Sequence, residues 1–283
     1  MRVLVTGASG MLGREVVAAA RTHEVVALDH VQLDITDERD VHLRVREVAP
    51  DVIINCAAYT AVDRCEHDRD TAFAVNDQAV RCLAAAATDR RARMVHVSTD
   101  YVFDGSKIGP YVESDSVNPT SIYGESKLAG EAPVLALGPD GLVVRTAWGF
   151  GVHGNNMVRT VIGSLRDQAT LRFVDDQVGS PTSAADLAAH LFDLIAADAS
   201  GVVHATNRGA VSWFGFVREI LTQLGADPQR VQPITTADLD PPRPAARPAN
   251  SVLVSERLHE WNLAPLRAYE LALAEVLERL ASS

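Results

Sequence analysis

Cysteine is scarce in this chain. Cys56, Cys65 and Cys82 are all there are, and they stand at no metal-ligand spacing. A small, odd number excludes a disulfide framework and fits a reducing compartment. Positive charge is also short: 26 Lys and Arg against 37 Asp and Glu leave a formal net charge of −11. Such a surface repels nucleic acid and anionic membranes, so neither is an expected partner, and a phosphate-bearing ligand needs a local positive site. No apolar run is long enough to cross a bilayer. An apolar strand begins almost at Met1, so no signal peptide precedes the fold, and a cytoplasmic protein is expected. There is no internal repeat. The 283 residues, 47% hydrophobic and 22% charged, suffice for one large α/β domain carrying a smaller lobe.

What is present begins with a β-branched strand, Val3-Leu4-Val5, running into Thr6-Gly7-Ala8-Ser9-Gly10-Met11-Leu12-Gly13. A helical pattern follows, with Val16, Val17 and Ala20 on one face. Strand, glycine turn and helix in this order make the first half of a dinucleotide site. Gly7 permits the tight turn, Gly10 the approach of backbone to pyrophosphate, and Gly13 the close packing of helix on sheet. Glu24–Asp29 reads as the second strand. Asp29 stands where an acid binds the adenosine ribose and disfavours a 2′-phosphate, or else simply caps the strand end. A helix is expected from Asp37 to Glu47, and a third strand over Val52–Asn55. Cys56-Ala57-Ala58-Tyr59-Thr60 follows, and its small residues let a flat ligand lie against the backbone. A crossover helix is expected over Asp70–Thr88, with Asn76 inside it, either a surface asparagine or part of a site.

Met94–Asp100 reads as the next strand, ending in polar groups, with His96 read as a packed histidine. After a Gly/Pro/Asp loop comes Tyr123-Gly124-Glu125-Ser126-Lys127. Tyr123 and Lys127 are four apart, on one face of a helix. A tyrosine with a lysine beside it is a candidate general acid/base, because a nearby ammonium stabilises the phenolate. Thr99 stands at a strand end, where its hydroxyl can hydrogen-bond a substrate carbonyl beside that tyrosine. Leu142–Thr146 is a further strand, closed by Ala147-Trp148. The alternation predicts a doubly wound parallel sheet over residues 1–148, binding NADPH or NADH. Residues 149–283 are expected to form mainly a smaller α/β substrate lobe, with segments around 176–207 returning to the first domain. Within it, helices are expected over Met157–Arg166, Ala184–Ala197, Trp213–Leu224 and Leu266–Leu280, and strands over Leu171–Val174 and Val202–Thr206. Pro241–Pro248 is a stiff extended loop. Its Arg243 and Arg247 either sit on a surface linker or hold a diphosphate.

These pieces together resemble the dTDP-4-dehydrorhamnose reductases, an extended short-chain dehydrogenase/reductase family, over almost the whole chain. The resemblance rests on Thr6–Gly13, Ala57–Asp63, Ser98–Phe103, Tyr123–Glu131, Arg145–Trp148, Asp176–Thr182 and Arg247–Ser251. It implies NAD(P)H-dependent reduction of the 4-keto group of a dTDP-4-keto-6-deoxy sugar, most closely dTDP-4-dehydro-L-rhamnose. Thr99, Tyr123 and Lys127 match the catalytic trio, with Tyr123 protonating the C4 alkoxide, Lys127 lowering its pKa and Thr99 polarising the carbonyl. Gly10, Met11 and Leu12 match pyrophosphate contacts, Asp34 and Ile35 adenine contacts, and Ala58, Tyr59 and Thr60 inner cofactor contacts. Thr99, Asp100 and Trp148 match substrate contacts. Some relatives form homodimers with Mg²⁺ through acids. Glu15 matches one such position, but near Asp186 the match is off by a residue, so no metal is assigned. Relatives that dehydrate the sugar carry an Asp-Glu pair after the threonine, and here Asp100 is followed by Tyr101. The alternatives kept open are a reductase of a related antibiotic-pathway sugar and a non-catalytic regulatory subunit of the methionine adenosyltransferase β type.

Overall fold

The computed structural model describes residues 1–165 and 170–282. Six short strands form one parallel sheet: β1 (Arg2–Thr6), β2 (Glu24–Leu28), β3 (Val52–Asn55), β4 (Arg93–Thr99), β5 (Gly141–Thr146) and β6 (Gly201–His204). Their order is β6-β5-β4-β3-β1-β2. The register sets Leu4 beside Ile53, Ile54 beside Val95, and Val97 beside Val144. Both faces are covered, which is why the strands read as continuous apolar runs rather than alternating ones. The period of two shows in where the side chains go. Val3 and Val5 face one core with Val16 of α1 (Met11–Ala19) and Leu187, Leu191 and Leu194, while Leu4 faces the other with Val41, Val45 and Leu83.

On the second face lie α2 (Glu38–Val48), capped by Asp37, whose carboxylate accepts from Arg39 N and Asp40 N, and α3 (Ala79–Arg90). The crossover expected as one helix over Asp70–Thr88 is interrupted. A helical turn, Arg69–Phe73, and a π-helical turn, Ala74–Gln78, precede α3. The interruption has a local cause. Asn76 donates to Tyr59 O at 3.0 Å and accepts from Tyr59 N at 2.9 Å, tying the turn to the loop after β3. The bulged Asn76 carbonyl lies against Gly130, where a Cβ would come within 2.0 Å of it. That glycine belongs to α4 (Ile122–Leu135), capped by Ser121 through Gly124 N.

The second half of the chain builds a lobe with its own core around Phe150, Val158, Phe216, Ile220 and Leu273. Its helices are α5 (Met157–Ser164), α6 (Ala184–Ala196), α7 (Trp213–Gln223) and α8 (Tyr269–Ala281). Of these, α6 packs on α1 and belongs to the sheet's core rather than the lobe's. The last helix starts three residues later than the pattern predicts, after the extended Ala268. Arg166, the expected end of α5, lies outside the described residues. Among the described residues no helix is long and apolar enough to cross a membrane.

Candidate active site

The strand order reverses between β1 and β3, and parallel sheets bind ligands outside the carboxyl ends of their strands at such a point. Here β1 ends in the glycine turn. Gly7 has φ +66°, and a Cβ on it would sit 2.6 Å from Ala57 N. A Cβ on Gly13 would come within 2.3 Å of Gly7 O, so the third glycine serves the close fold-back of α1. Gly10 forms the N-cap of α1 without a side-chain cap, which leaves backbone N–H groups of the first turn for an anion. A cavity of about 350 Å³ beside this turn is lined by Gly7, Gly10, His30, Asp34, Ile35, Ala57 and Ala58. Asp34 accepts two hydrogen bonds from Thr36, which hold its carboxyl below the usual range. Asp29 is turned into its own loop, where Oδ1 accepts from Val31 N and Gln32 N. Oδ1 thus caps the strand end, and Asp29 does not line this cavity.

A larger cavity of about 710 Å³ continues from Gly10, Met11, Leu12 and Gly13 past Thr99, Asp100, Tyr123 and Lys127 to Trp148 and Trp213. Glycine turn, α4 and lobe thus share one space. Ala58 and Thr60 line it as well. Tyr59 sends its hydroxyl to Asp68 at 3.1 Å and packs its ring near Tyr123, so only its backbone neighbours face the cavity.

Tyr123 and Lys127 are both buried on the inner face of α4. Burial pushes the Tyr123 phenol well up, and its hydrogen bond with Thr99 lowers it only in part. Lys127 is not what the tyrosine meets here. Its Nζ donates to Val97 O at 2.7 Å and lies 3.2 Å from His96 Nε2. The expected lowering of the tyrosine by the lysine does not prevail, because the ammonium is directed into β4 and burial governs the phenol. Burial also lowers Lys127 to about 8, against the opposing charge of Glu131. The Thr99 hydroxyl donates to Asp100 Oδ1 at 2.9 Å, and burial pushes the Asp100 carboxyl up to about 6.

Three site residues escaped the sequence reading in whole or in part. His96 is fully buried and contacts Lys127, but a strand buried on both faces gives no alternation from which to read its direction. Asn76 also donates to Ser126 Oγ at 3.0 Å, clamping α4 one residue from Lys127. Trp213 stacks on Trp148 with ring centroids 3.6 Å apart and planes 3° apart, a pairing across the lobe that no local pattern announces. Gly179 backs this stack: a Cβ there would lie 2.3 Å from Trp148 Cε2. Arg247 does not line the cavity; its guanidinium is forked onto both carboxylate oxygens of Asp63, 2.8 Å from Nη2 to Oδ2, with Arg243 on the same carboxylate at 3.3 Å.

Glu15, which matched a metal position, and nearby Asp186 are each engaged by an arginine in this chain. Glu15 is paired with Arg279 at 2.9 Å and Asp186 with Arg267 at 2.7 Å, so each carboxylate already meets a cation. No cluster of three or more His, Cys, Asp or Glu able to hold a metal exists among the described residues.

The profile of the family described as RmlD substrate binding domain matches residues 1–282. The chain belongs to that family. It is 46% identical to a dTDP-4-dehydrorhamnose reductase of Streptomyces griseus over 282 residues, 97% of this chain and 92% of the relative. It is 42% identical to a dTDP-4-keto-6-deoxy-D-glucose reductase of Streptomyces niveus over 99% of this chain and 97% of that one. Among solved structures, a dTDP-4-dehydrorhamnose reductase of Bacillus anthracis in complex with NADP superposes with a TM-score of 0.93 at 35% identity, covering 98% of this chain and 99% of that one. In this chain the glycine turn, α4 and the tryptophan pair share one cavity.

Proposed function

We propose that this chain reduces the 4-keto group of a dTDP-4-keto-6-deoxy sugar with NADPH or NADH, dTDP-4-dehydro-L-rhamnose being the substrate that fits best. The observation that carries this reading is the single cavity joining a dinucleotide-type glycine turn to Tyr123 and Lys127 and then to the Trp148–Trp213 stack. The named activities of the similar chains support it.

The nicotinamide cofactor, when bound, supplies the hydride. Gly10, Met11 and Leu12 would hold its pyrophosphate at the N-terminus of α1, and Asp34, Ile35 and Ala57 would border its adenine. The 4-keto oxygen then lies between Thr99 and Tyr123, and Tyr123 passes its proton to the alkoxide oxygen as charge develops there. The proton is in place because burial keeps the phenol protonated. Trp148 presents its ring to the sugar, held flat by Trp213. A Gly179→Ala change pushes Trp148 out of line; the expected result is a rise in KM for the sugar nucleotide of about tenfold or more with little change in KM for the cofactor. Steady-state kinetics and tryptophan fluorescence check it.

Arg247 meets the substrate diphosphate by exchanging Asp63 for it. Arg247→Ala is expected to raise KM for the sugar nucleotide by about ten- to a hundredfold, the worth of a charged hydrogen-bonded contact, and to leave the cofactor KM unchanged. An unaltered substrate KM returns Arg247 to a purely structural pair with Asp63.

A second reading, reduction of a related dTDP-4-keto-6-deoxy sugar, is favoured by the Streptomyces niveus relative. Incubation with candidate dTDP-4-keto sugars and each cofactor, followed by NMR of the product, separates the two. No oxidation of NADPH or NADH with any of them would sink both and favour a regulatory subunit. The setting is a cytoplasmic one, in line with three unpaired cysteines.

A further inference from the structure

A chain of buried hydrogen bonds runs behind Lys127, away from the cavity. Thr6 Oγ1 donates to Asn55 Oδ1 at 2.6 Å. Ala57 N donates to the same oxygen at 3.1 Å. Asn55 Nδ2 lies 3.0 Å from His96 Nδ1, and His96 Nε2 lies 3.2 Å from Lys127 Nζ. Thr6, Asn55, His96 and Lys127 are all essentially inaccessible to water.

Donor and acceptor roles along this chain follow from one group that has no choice. A backbone N–H only donates, so the Asn55 atom facing Ala57 N is the oxygen, and the atom facing His96 is the NH₂. An amide NH₂ only donates, so His96 Nδ1 carries a lone pair. The ring is then neutral and bears its proton on Nε2, which also suits burial, since burial and the Lys127 charge hold His96 well below the usual histidine range. The Nε2–H points at Lys127 Nζ. An ammonium has only donors and would face it N–H to N–H, whereas an amine offers a lone pair. With Val97 O taking one amine hydrogen at 2.7 Å, this geometry is matched by the amine and mismatched by the ammonium.

We propose that His96, with its tautomer fixed by Asn55, is a positioning residue that favours the amine form of Lys127 and so makes the lysine a ready proton donor to Tyr123. The inference rests on the reductase reading for its catalytic meaning, and on the hydrogen bonds alone for its structural content. In turnover the Tyr123 O–H bond breaks as the product O–H bond forms. The phenolate then regains a proton from the Lys127 ammonium by way of water in the cavity that both residues line, one N–H bond breaking at the lysine as one O–H bond forms at the phenol. The amine left behind is received by His96 Nε2–H, and it regains its proton from water entering the open cavity after product leaves. The charged and titratable groups around Lys127 are Tyr123 and Glu131 on its own helix, Cys56 from the loop after β3, and His96 and Asp100 from β4 and its end. Glu131 raises Lys127 but is itself paired with Arg145, so its pull is set against that of burial and His96.

The test uses the full chain, with and without NADP⁺. Lys107 and Lys127 are the only two lysines, so protein labelled with [ε-¹³C]lysine gives two resonances to follow with pH. Labelling with ¹⁵N-histidine reports which His96 nitrogen is protonated. The expected results are a neutral His96 with the proton on Nε2, and a Lys127 midpoint near 8 that rises by about one pH unit in His96→Leu. In His96→Gln, whose amide can donate from a similar place, the midpoint returns toward that of the unsubstituted protein. The basic limb of the kcat–pH profile moves with these midpoints: at pH 9 the parent has lost about tenfold from its plateau and His96→Leu about twofold. Should His96→Leu fold poorly, Asn55→Asp gives the same decision, since a carboxylate facing Nδ1 moves the ring proton there and raises the Lys127 midpoint. A proton found on Nδ1 of the parent protein, or a Lys127 midpoint indifferent to His96→Leu, overturns the proposal. The NMR readings need no substrate, so they decide this inference even if the reductase reading fails.

Discussion

Tyr123→Phe is expected to lower kcat by about two to four orders of magnitude, the usual worth of a positioned general acid, and to leave NADPH and NADH binding unchanged. The hydroxyl is the part of the side chain placed for chemistry, while the ring is packed edge-on to Tyr101, with centroids 5.3 Å apart, and against Cys65 and Ala72. Phenylalanine keeps that packing, so the loss falls on proton transfer alone. The direction of proton flow is set by burial. A phenol held above its ordinary value stays protonated at neutral pH, which is the state required to deliver a proton and the wrong state to abstract one. Stopped-flow hydride transfer and equilibrium cofactor titration separate the two quantities; turnover at the parent's rate would refute the role given to Tyr123.

The second large effect concerns stability. Arg145→Met is expected to destabilise the protein by about 3–5 kcal/mol, because it strands a buried carboxylate. Glu131 and Arg145 face each other across α4 and β5, with Arg145 Nε to Oε1 at 2.9 Å and Nη2 to Oε2 at 2.7 Å. Ser98 Oγ donates to Oε1 at 2.6 Å, and the guanidinium lies over the Phe103 ring. Removing the arginine leaves the carboxylate with Ser98 and no cation paired to it, one helical turn beyond Lys127. Urea unfolding should show a lower midpoint with an unchanged slope. Combining it with Glu131→Gln should recover much of the loss, since the penalty is the unpaired charge and not the missing contact. A single mutant as stable as the parent would mean that Glu131 becomes protonated without cost, and the pair would then be no anchor for α4.

Much of the site could be read directly from local sequence. The glycine turn is legible because its spacing serves backbone geometry, and the structure puts a positive φ at Gly7 and a close carbonyl contact at Gly13. Tyr123 and Lys127 are legible as a pair because a helix brings i and i+4 together wherever it lies. Asp29 shows the limit of such reading. Its place after β2 suits a ribose contact and a turn cap equally, and the N–H groups of Val31 and Gln32 that show the cap lie outside any local pattern. The π turn at Asn76 was hidden in an ordinary helical pattern, since its cause is Tyr59 on another segment and the bare Cα of Gly130 on a third.

The sequence by itself determined the parallel α/β fold, the glycine turn after β1 and the tyrosine–lysine pair, because each depends on contacts close in the chain or on a period set by backbone geometry. Tertiary structure alone decided what surrounds them. It stacked Trp213 on Trp148, closed Asp63 onto Arg247, and set His96 rather than Tyr123 against Lys127. Those choices join residues far apart in the chain, and they follow from which buried donors find acceptors once the sheet and lobe have packed, a matter no local pattern records.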